Sequence, residues 1–260
     1  MAVSRLLPAA GASLAALSSF AGLLILWWLV CSVFAVRPVI LAAPPEVWRA
    51  LVAMALSGEL SRDLMTSARE LVGGFAIGTA LGILTGIALA QSRSLQGFLE
   101  PLVESFRFVV PFSLVPLVVV WFGVSVWGKI FVVAYACFFV VAINTANAVE
   151  NIDPLLLKAA RMLGVSGTRL LVDVVLPAAL PRILTGLQLA LAYGWVSVIA
   201  AEYVGASAGI GYFITNAQSG LETGKVIAGM VVIGTVGSLL SLAMAWLRRL
   251  LVRHEESAGW

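Results

Sequence analysis

The amino-acid sequence predicts an all-α membrane protein with six transmembrane helices. Apolar residues make up 61% of the 260 positions and charged residues only 11%, whereas a soluble domain carries about 25% charged residues. Six runs that are almost free of charge each hold about the twenty residues needed to cross a ~30 Å hydrocarbon core. Backbone polar groups must be satisfied within lipid, so these runs are expected to be helices rather than sheets.

The six predicted spans cover residues 6–36, 71–92, 108–128, 130–150 (less its terminal Glu), 183–201 and 226–247. The first is too long for a secretory signal and lacks a clear cleavage site, so we expect a retained helix. Residues 1–260 are predicted to form one membrane domain. Placing the N-terminus inside puts more Lys and Arg, and the basic tail, on the cytoplasmic side. Both termini are therefore predicted to be cytoplasmic.

The pI near 9.1 follows from this topology and does not indicate a nucleic-acid partner. No basic stripe with interleaved aromatic residues is present.

Residues 37–69 form a predicted outer connection. Pro44 and Pro45 break it, and Glu46 opens an amphipathic stretch that ends near Gly58 and is expected to lie on the membrane surface. The next span carries glycines at every fourth residue from 74 to 86. Such a stripe favours close helix packing; a part in substrate passage is the alternative.

The third span is expected to bend, because Pro101, Pro111 and Pro116 lie at or inside it. Glu104 and Arg107 share a helix face and are predicted to pair. Ionisable residues at membrane depth are candidates for function, and anchoring at the cytoplasmic interface is the alternative for this pair.

The candidate translocation path extends this set to residues on later helices. Arg107 would attract an anion, and Glu202 near the outer mouth would gate through hydrogen bonds. Core packing is the alternative for Tyr193 and Trp195, and an interface anchor is the alternative for Glu202. The full candidate set is Glu104, Arg107, Asn144, Tyr193, Trp195 and Glu202.

Two motif matches are rejected. Residues 205–209 match G-x-S-x-G, but the only histidine, His254, is predicted on the opposite membrane face from Ser207. Residues 123–129 resemble a phosphate-binding loop, but Ile130 replaces the required Ser or Thr. No Cys/His cluster suggests a metal. The sequence therefore predicts no catalytic, cofactor-binding or metal site.

The charged loop at residues 150–182 is the strongest functional signal. Asp153 and Pro154 suit a helix start, and apolar residues at helical spacing through Leu163 give one face. Gly164 is expected to end this helix. A second short helix, from Ser166 or Thr168 through Val175, is expected to stop at Leu176-Pro177. The predicted helix–turn–helix would dock into a groove of a partner protein.

The spacing of this loop resembles the EAA loop of ABC importer permeases, E-A-A-x3-G-x9-I-x-L-P. Lys158 stands where the family has Glu, and Val174 where it has Ile. The resemblance implies an ATPase-coupling loop whose candidate contacts are Lys158, Ala159, Ala160, Gly164, Val165, Ser166, Leu176 and Pro177.

Residues 45–247 resemble the branch that imports nitrate, taurine, alkanesulfonates and bicarbonate. The supporting segments are LVPLVVVWFGVSVWGKI, NIDPLLLKAARMLGVS, VLPAALPRILTGLQLAL and AAEYVGASAGIGYFI, with the pair Asn144-Thr145. RFVVP departs from the common R-P-x-P-P. The resemblance implies the type I ABC importer permease fold, as a multi-pass protein of the bacterial inner membrane.

The same resemblance implies the partners: a second copy of this chain, two ATP-binding subunits that carry ATP and Mg, and an extracytoplasmic substrate-binding protein. No cofactor is expected on this chain. The expected cargo is a small anion of the taurine, sulfonate and nitrate class. A vitamin precursor or an aromatic carboxylate is the alternative cargo. An ATP-independent channel or scaffold and an intramembrane enzyme are the alternative functions.

Overall fold

A computed structural model describes residues 7–34, 37–204 and 206–251, and every regular element in these ranges is helical. The all-α prediction is confirmed for this part of the chain. The helices are α1 (Leu7–Val33), α2 (Pro44–Ser57), α3 (Glu59–Gln91), α4 (Arg93–Phe106), α5 (Pro111–Phe122), α6 (Val126–Glu150), α7 (Pro154–Met162), α8 (Gly167–Leu170), α9 (Leu176–Glu202), α10 (Ile210–Ser219) and α11 (Thr223–Leu251).

Four of the described helices are long and apolar enough to cross a membrane: Glu59–Gln91, Val126–Glu150, Gly167–Glu202 and Thr223–Leu251. A bent pair, Ser94–Phe106 with Pro111–Phe122, makes a fifth candidate span if the two halves count as one. A shorter apolar stretch, Ala21–Val33, lies in α1. The described helices therefore support four or five spans, and the sixth stays a prediction.

The chain divides into two compact units, and the first comprises residues 1–61 and 213–232. Its helix α2 begins at Pro44, two residues before the predicted start at Glu46, and ends before Gly58 as predicted. The Glu46 carboxylate accepts a hydrogen bond from the Ala43 N–H at 3.3 Å, which satisfies a free donor at the helix start. Gly58 ends the helix with a φ of +77°, a conformation that suits glycine. Val47 and Met54 are buried, so one face of α2 packs inward.

The second unit comprises residues 62–212 and 233–260, and the packing of α6 against both α3 and α9 forms its centre. The glycine stripe of α3 lies against α6, as predicted. A Cβ on Gly82 would lie 2.8 Å from the Phe138 carbonyl oxygen, and one on Gly78 would clash with the Ala134 carbonyl oxygen. The two backbones are thus in direct contact, which only glycine permits here.

A buried cluster of charged and polar groups joins α3, α6 and α9 in this unit. Glu70 and Glu202 are almost completely buried. Lys129 of α6 forms an ion pair with Glu70, and Glu202 lies close enough to both groups to interact with them electrostatically. Ser67 donates a hydrogen bond to Glu202 Oε1 at 2.6 Å. Because buried charges are costly unless paired and hydrogen-bonded, the cluster requires all three helices to be in register.

The same cluster holds the chain that follows α9. Glu202 Oε2 accepts the Gly211 N–H at 2.7 Å, and Ser67 Oγ accepts the Ile210 N–H at 3.1 Å. Asp63 accepts the Gly209 N–H at 3.1 Å. Side chains of α3 and α9 therefore satisfy three backbone donors where α10 begins.

The predicted third span, residues 108–128, is not a single helix: α5 covers only Pro111–Phe122 of it, and α6 begins at Val126. Helices α4 and α5 meet at 94° across residues 107–110, just before Pro111, which begins α5. The predicted bend is therefore present, because a residue before proline is driven out of the helical conformation. Pro101 and Pro116 lie inside α4 and α5. With 12 residues, α5 is too short to cross a ~30 Å core at 1.5 Å per residue.

The expected stop at Leu176-Pro177 is wrong. The helix that begins at Gly167 continues to Glu202, through a π-helical segment at Leu171–Val175. In this segment the Leu176 N–H bonds to the Leu171 carbonyl, five residues back. Pro177 has no N–H to give, and its ring clashes with a carbonyl in a regular helix. The wider π turn accommodates it just before α9 becomes regular.

Replacing Gly78 by Ala should lower the thermal stability of the purified protein more than replacing Gly73. The Gly78 methyl would strike the Ala134 carbonyl of the α6 backbone, whereas the Gly73 methyl meets only the flexible end of Ile130, at 3.1 Å. Overpacking of this kind costs about 1–3 kcal/mol. Size-exclusion chromatography after heating measures the difference, and equal stability of the two variants would contradict direct backbone contact.

Lys129→Met should destabilise the protein strongly, by about 3–5 kcal/mol for a buried pair that loses one partner. The double variant Glu70→Gln with Lys129→Met should recover part of this loss, because it leaves one buried carboxylate fewer. Heating followed by size-exclusion chromatography ranks the variants. A double variant no more stable than Lys129→Met would show that the ion pair is not the source of the loss.

Candidate functional site

A cavity of about 360 Å³ opens in the second unit, between the α4–α5 bend, α6 and α9. Its volume lies in the range of small-molecule sites. We call it the aromatic cavity. Its lining residues are Arg107, Phe108, Val109, Pro111, Tyr135, Ala136, Phe139, Val140, Ile143, Asn144, Leu189 and Tyr193.

Arg107 is the only charged residue in the lining of this cavity, all of which lies in the described part of the chain. Its Nε lies 3.1 Å from Glu104 Oε2, so the pair predicted from the three-residue spacing is confirmed. Its Cζ lies 4.9 Å from the centre of the Phe108 ring. A guanidinium has five N–H donors in a fixed fork. One carboxylate contact leaves it able to bind a second anion.

The aromatic wall of the cavity is held in place by its own contacts. The Tyr135 hydroxyl donates to the Phe106 carbonyl at 2.7 Å. The Tyr135 and Phe139 rings meet edge to face at 4.8 Å. The hydrogen bond from Tyr135 to Phe106 ties α6 to the end of α4, directly before the bend that carries Arg107. A cation against aromatic and aliphatic walls suits an anion with an apolar body.

The structure brings four of the six predicted path residues together. Arg107, Asn144 and Tyr193 line the aromatic cavity, and Glu104 pairs with Arg107. Asn144 donates from Nδ2 to the Val140 carbonyl at 2.7 Å. Tyr193 is 59% exposed, so most of its ring is available to a ligand or a second chain.

The other two predicted path residues lie elsewhere. Trp195 is buried, and its Nε1 donates to the Ile233 carbonyl at 3.1 Å. Trp195 therefore takes part in core packing, which was the alternative interpretation of this residue. Glu202 is buried in the cluster with Ser67 and Glu70. It makes hydrogen bonds to Ser67 and to the Gly211 N–H, and a gating role for Glu202 stays a prediction.

Several residues of the aromatic cavity and of the buried ion pair were not identified from the sequence. Tyr135, Phe139 and Ile143 recur at four-residue spacing on α6, which would have indicated a common face. Glu70 and Lys129 are 59 positions apart in the sequence, and no local pattern links them. Their partnership depends on the packing of α3 against α6.

The loop at residues 150–182 begins as predicted. Asp153 caps α7 by accepting the Leu155 N–H at 2.8 Å. Gly164 ends the helix with a φ of +82°. The Val165 N–H bonds to the Ala160 carbonyl and the Gly164 N–H to the Arg161 carbonyl, both at 3.0 Å. This pair of bonds is the Schellman motif, and the left-handed residue it requires is most often glycine.

Apolar side chains on this loop are unusually exposed. Met162 and Leu163 are 88% and 84% exposed, and Leu155 is 71% exposed. Only Ala160 of the predicted apolar face is buried, whereas Leu157 packs against the core formed by α6 and α9. Lys158 is exposed as well. Contiguous apolar exposure flanked by charges indicates a surface that another protein covers.

Comparison with known proteins identifies the family. Residues 78–256 match the binding-protein-dependent transport system inner membrane component. The chain is 34% identical to the taurine transport system permease protein TauC of Escherichia coli (strain K12), over 90% of this chain and 86% of that protein. It is 36% identical to the putative aliphatic sulfonates transport permease protein SsuC of the same organism, over 89% and 88%. Identity to the bicarbonate transport system permease protein CmpB of Synechococcus elongatus is 34%, over 92% and 89%.

The fold is similar to a solved structure entitled inward facing conformations of the MetNI methionine ABC transporter. The TM-score is 0.67 at 19% identity, and the match covers 74% of this chain and 96% of the other. ATP hydrolysis in such systems lies on a separate subunit, and a binding protein delivers the substrate. The chain belongs to the inner membrane component family of binding-protein-dependent transport systems, as a permease subunit of an ABC transporter.

Proposed function

We propose that this permease imports a small anionic solute of the taurine, sulfonate and nitrate class. Two copies would form the path in the bacterial inner membrane, each acting as one domain with six spans, the type I fold and cytoplasmic termini. The names of the taurine, sulfonate and bicarbonate relatives support this class of cargo. An aromatic carboxylate or a vitamin precursor is the alternative cargo, which the aromatic walls of the cavity would also suit.

One observation carries the proposal: a single guanidinium in a cavity that is otherwise aromatic and aliphatic. Arg107 would hold the acidic group of the cargo by charge-assisted hydrogen bonds, for which the guanidinium fork is well shaped. Tyr135 and Phe139 would pack against its body. Asn144 and Tyr193 add polar groups that orient the cargo. Glu202 would act indirectly, by holding Gly211 at the start of α10.

Coupling to ATP hydrolysis would pass through residues 150–182. The contacts would include Lys158, Ala159, Ala160, Val165, Ser166, Leu176 and Pro177, with Gly164 setting the turn. Two ATP-binding subunits, with ATP and Mg, would each hold one loop. A substrate-binding protein would dock on the outer face. ATP can shift the path between inward-facing and outward-facing states only if it binds the two states with different affinity.

Arg107→Gln should reduce uptake of a cognate anion about ten- to a hundredfold in proteoliposomes that contain the full transporter. A hydrogen bond to a charged group contributes about 1.5–3 kcal/mol, and 1.4 kcal/mol is a factor of ten. Arg248→Gln is the control, because this exposed arginine does not line the aromatic cavity, and its guanidinium donates to the Thr185 hydroxyl at 3.3 Å. Unchanged uptake by Arg107→Gln would refute the anion site.

Met162→Glu should weaken copurification of the ATPase subunit, because it places a charge in an apolar contact. Thr168→Glu is the matched control on the same loop, at an exposed polar residue. The measurement is the amount of ATPase subunit that is recovered per tagged permease, for each variant and for the wild type. Equal recovery with Met162→Glu and wild type would count against docking through the tip of α7.

A further inference from the structure

A second cavity, of about 150 Å³, meets the aromatic cavity at Arg107. Arg107 and Ile143 line both. Three carboxylates, those of Glu100, Glu104 and Glu150, line the second cavity, so we call it the acidic cavity. The Arg107 guanidinium thus lies between the aromatic cavity and the acidic cavity.

The charge balance of the acidic cavity makes it repel anions. Three carboxylates face the single guanidinium of Arg107. Glu150 accepts a hydrogen bond from Gln96 at 3.1 Å, which is a neutral partner. Like charges at close range are costly at the low effective dielectric near a protein surface. An anion therefore approaches Arg107 more favourably from the aromatic cavity than from the acidic cavity.

The bond between Glu104 and Arg107 is easily exchanged. The two side chains are 43% and 40% exposed, and exposed ion pairs contribute little to stability. We propose that Glu104 competes with the transported anion for Arg107 and thereby sets its release. This inference rests on the proposed anion site, and it assigns Glu104 a separate role.

A competitor of this kind would favour release of the cargo. A binding site on a permeation path must attract its cargo but still let it leave. Arg107 alone, against apolar walls, would retain an organic anion. Recapture of the guanidinium by Glu104, three residues earlier on α4, lowers the affinity without removing the charge that attracts the anion.

The test measures binding of radiolabelled benzenesulfonate to the permease–ATPase complex in nanodiscs, without the binding protein. Glu104→Gln should raise the affinity about two- to fivefold and slow dissociation, since the competing pair is a weak exposed one. Glu104→Asp, which keeps the charge on a shorter side chain, should fall between Glu104→Gln and wild type. Structural damage would weaken binding, so a gain in affinity separates competition from misfolding.

A matched control is available in the first unit. Glu222 pairs with Lys225 three residues later at 2.6 Å, with side chains 50% and 42% exposed. Glu222→Gln removes a similar pair and should leave binding as in the wild type. Unchanged or weaker binding by Glu104→Gln, while Arg107→Gln abolishes binding, would overturn the competition and leave the anion site standing. Equal binding by wild type and Arg107→Gln would overturn the anion site itself.

Discussion

Burial of charge at the junction of α3, α6 and α9 is the constraint on which the second unit depends. Glu70 and Glu202 have almost no contact with solvent, so their carboxyl groups depend on Lys129, Ser67 and the backbone N–H of Gly211 as partners. A shift of one helix by one turn would leave a buried carboxyl group without its partner. The free-energy cost would be comparable to the free energy of unfolding of a domain. The cluster thus sets the register in which the other contacts of these helices form.

The aromatic cavity is a consequence of that register and of a broken helix. The glycine stripe lets α3 lie directly against one side of α6, and α9 packs on another. The break before Pro111 brings Arg107 to the mouth of the space that remains, and Tyr135 ties the end of α4 to α6. The site is therefore built from irregular backbone placed against rigid helices, which is where non-helical backbone is tolerated in a membrane protein.

Local signals in the sequence were sufficient where a feature is made by neighbouring residues. The cap at Asp153, the left-handed turn at Gly164, the end of α2 at Gly58 and the pair of Glu104 with Arg107 all follow from short-range rules. The π-helical segment before Pro177 could not be predicted from such rules, because proline usually marks a helix end. Whether a helix stops or widens at proline depends on what packs around it; here Val175 and Ala179 are buried together in one core.

By itself the sequence determined the class of protein, the helical structure, the cap and turn of the loop at residues 150–182 and a set of candidate path residues. These depend on composition, on apolar runs of a length matched to the bilayer and on spacing within single helices. Only the tertiary structure decided which of those residues meet. It gathered Arg107, Asn144 and Tyr193 around one cavity and moved Trp195 and Glu202 into packing and a buried ion cluster. The physical reason is that contacts between helices distant in sequence are selected by close packing and by the pairing of buried charge, and neither leaves a local pattern.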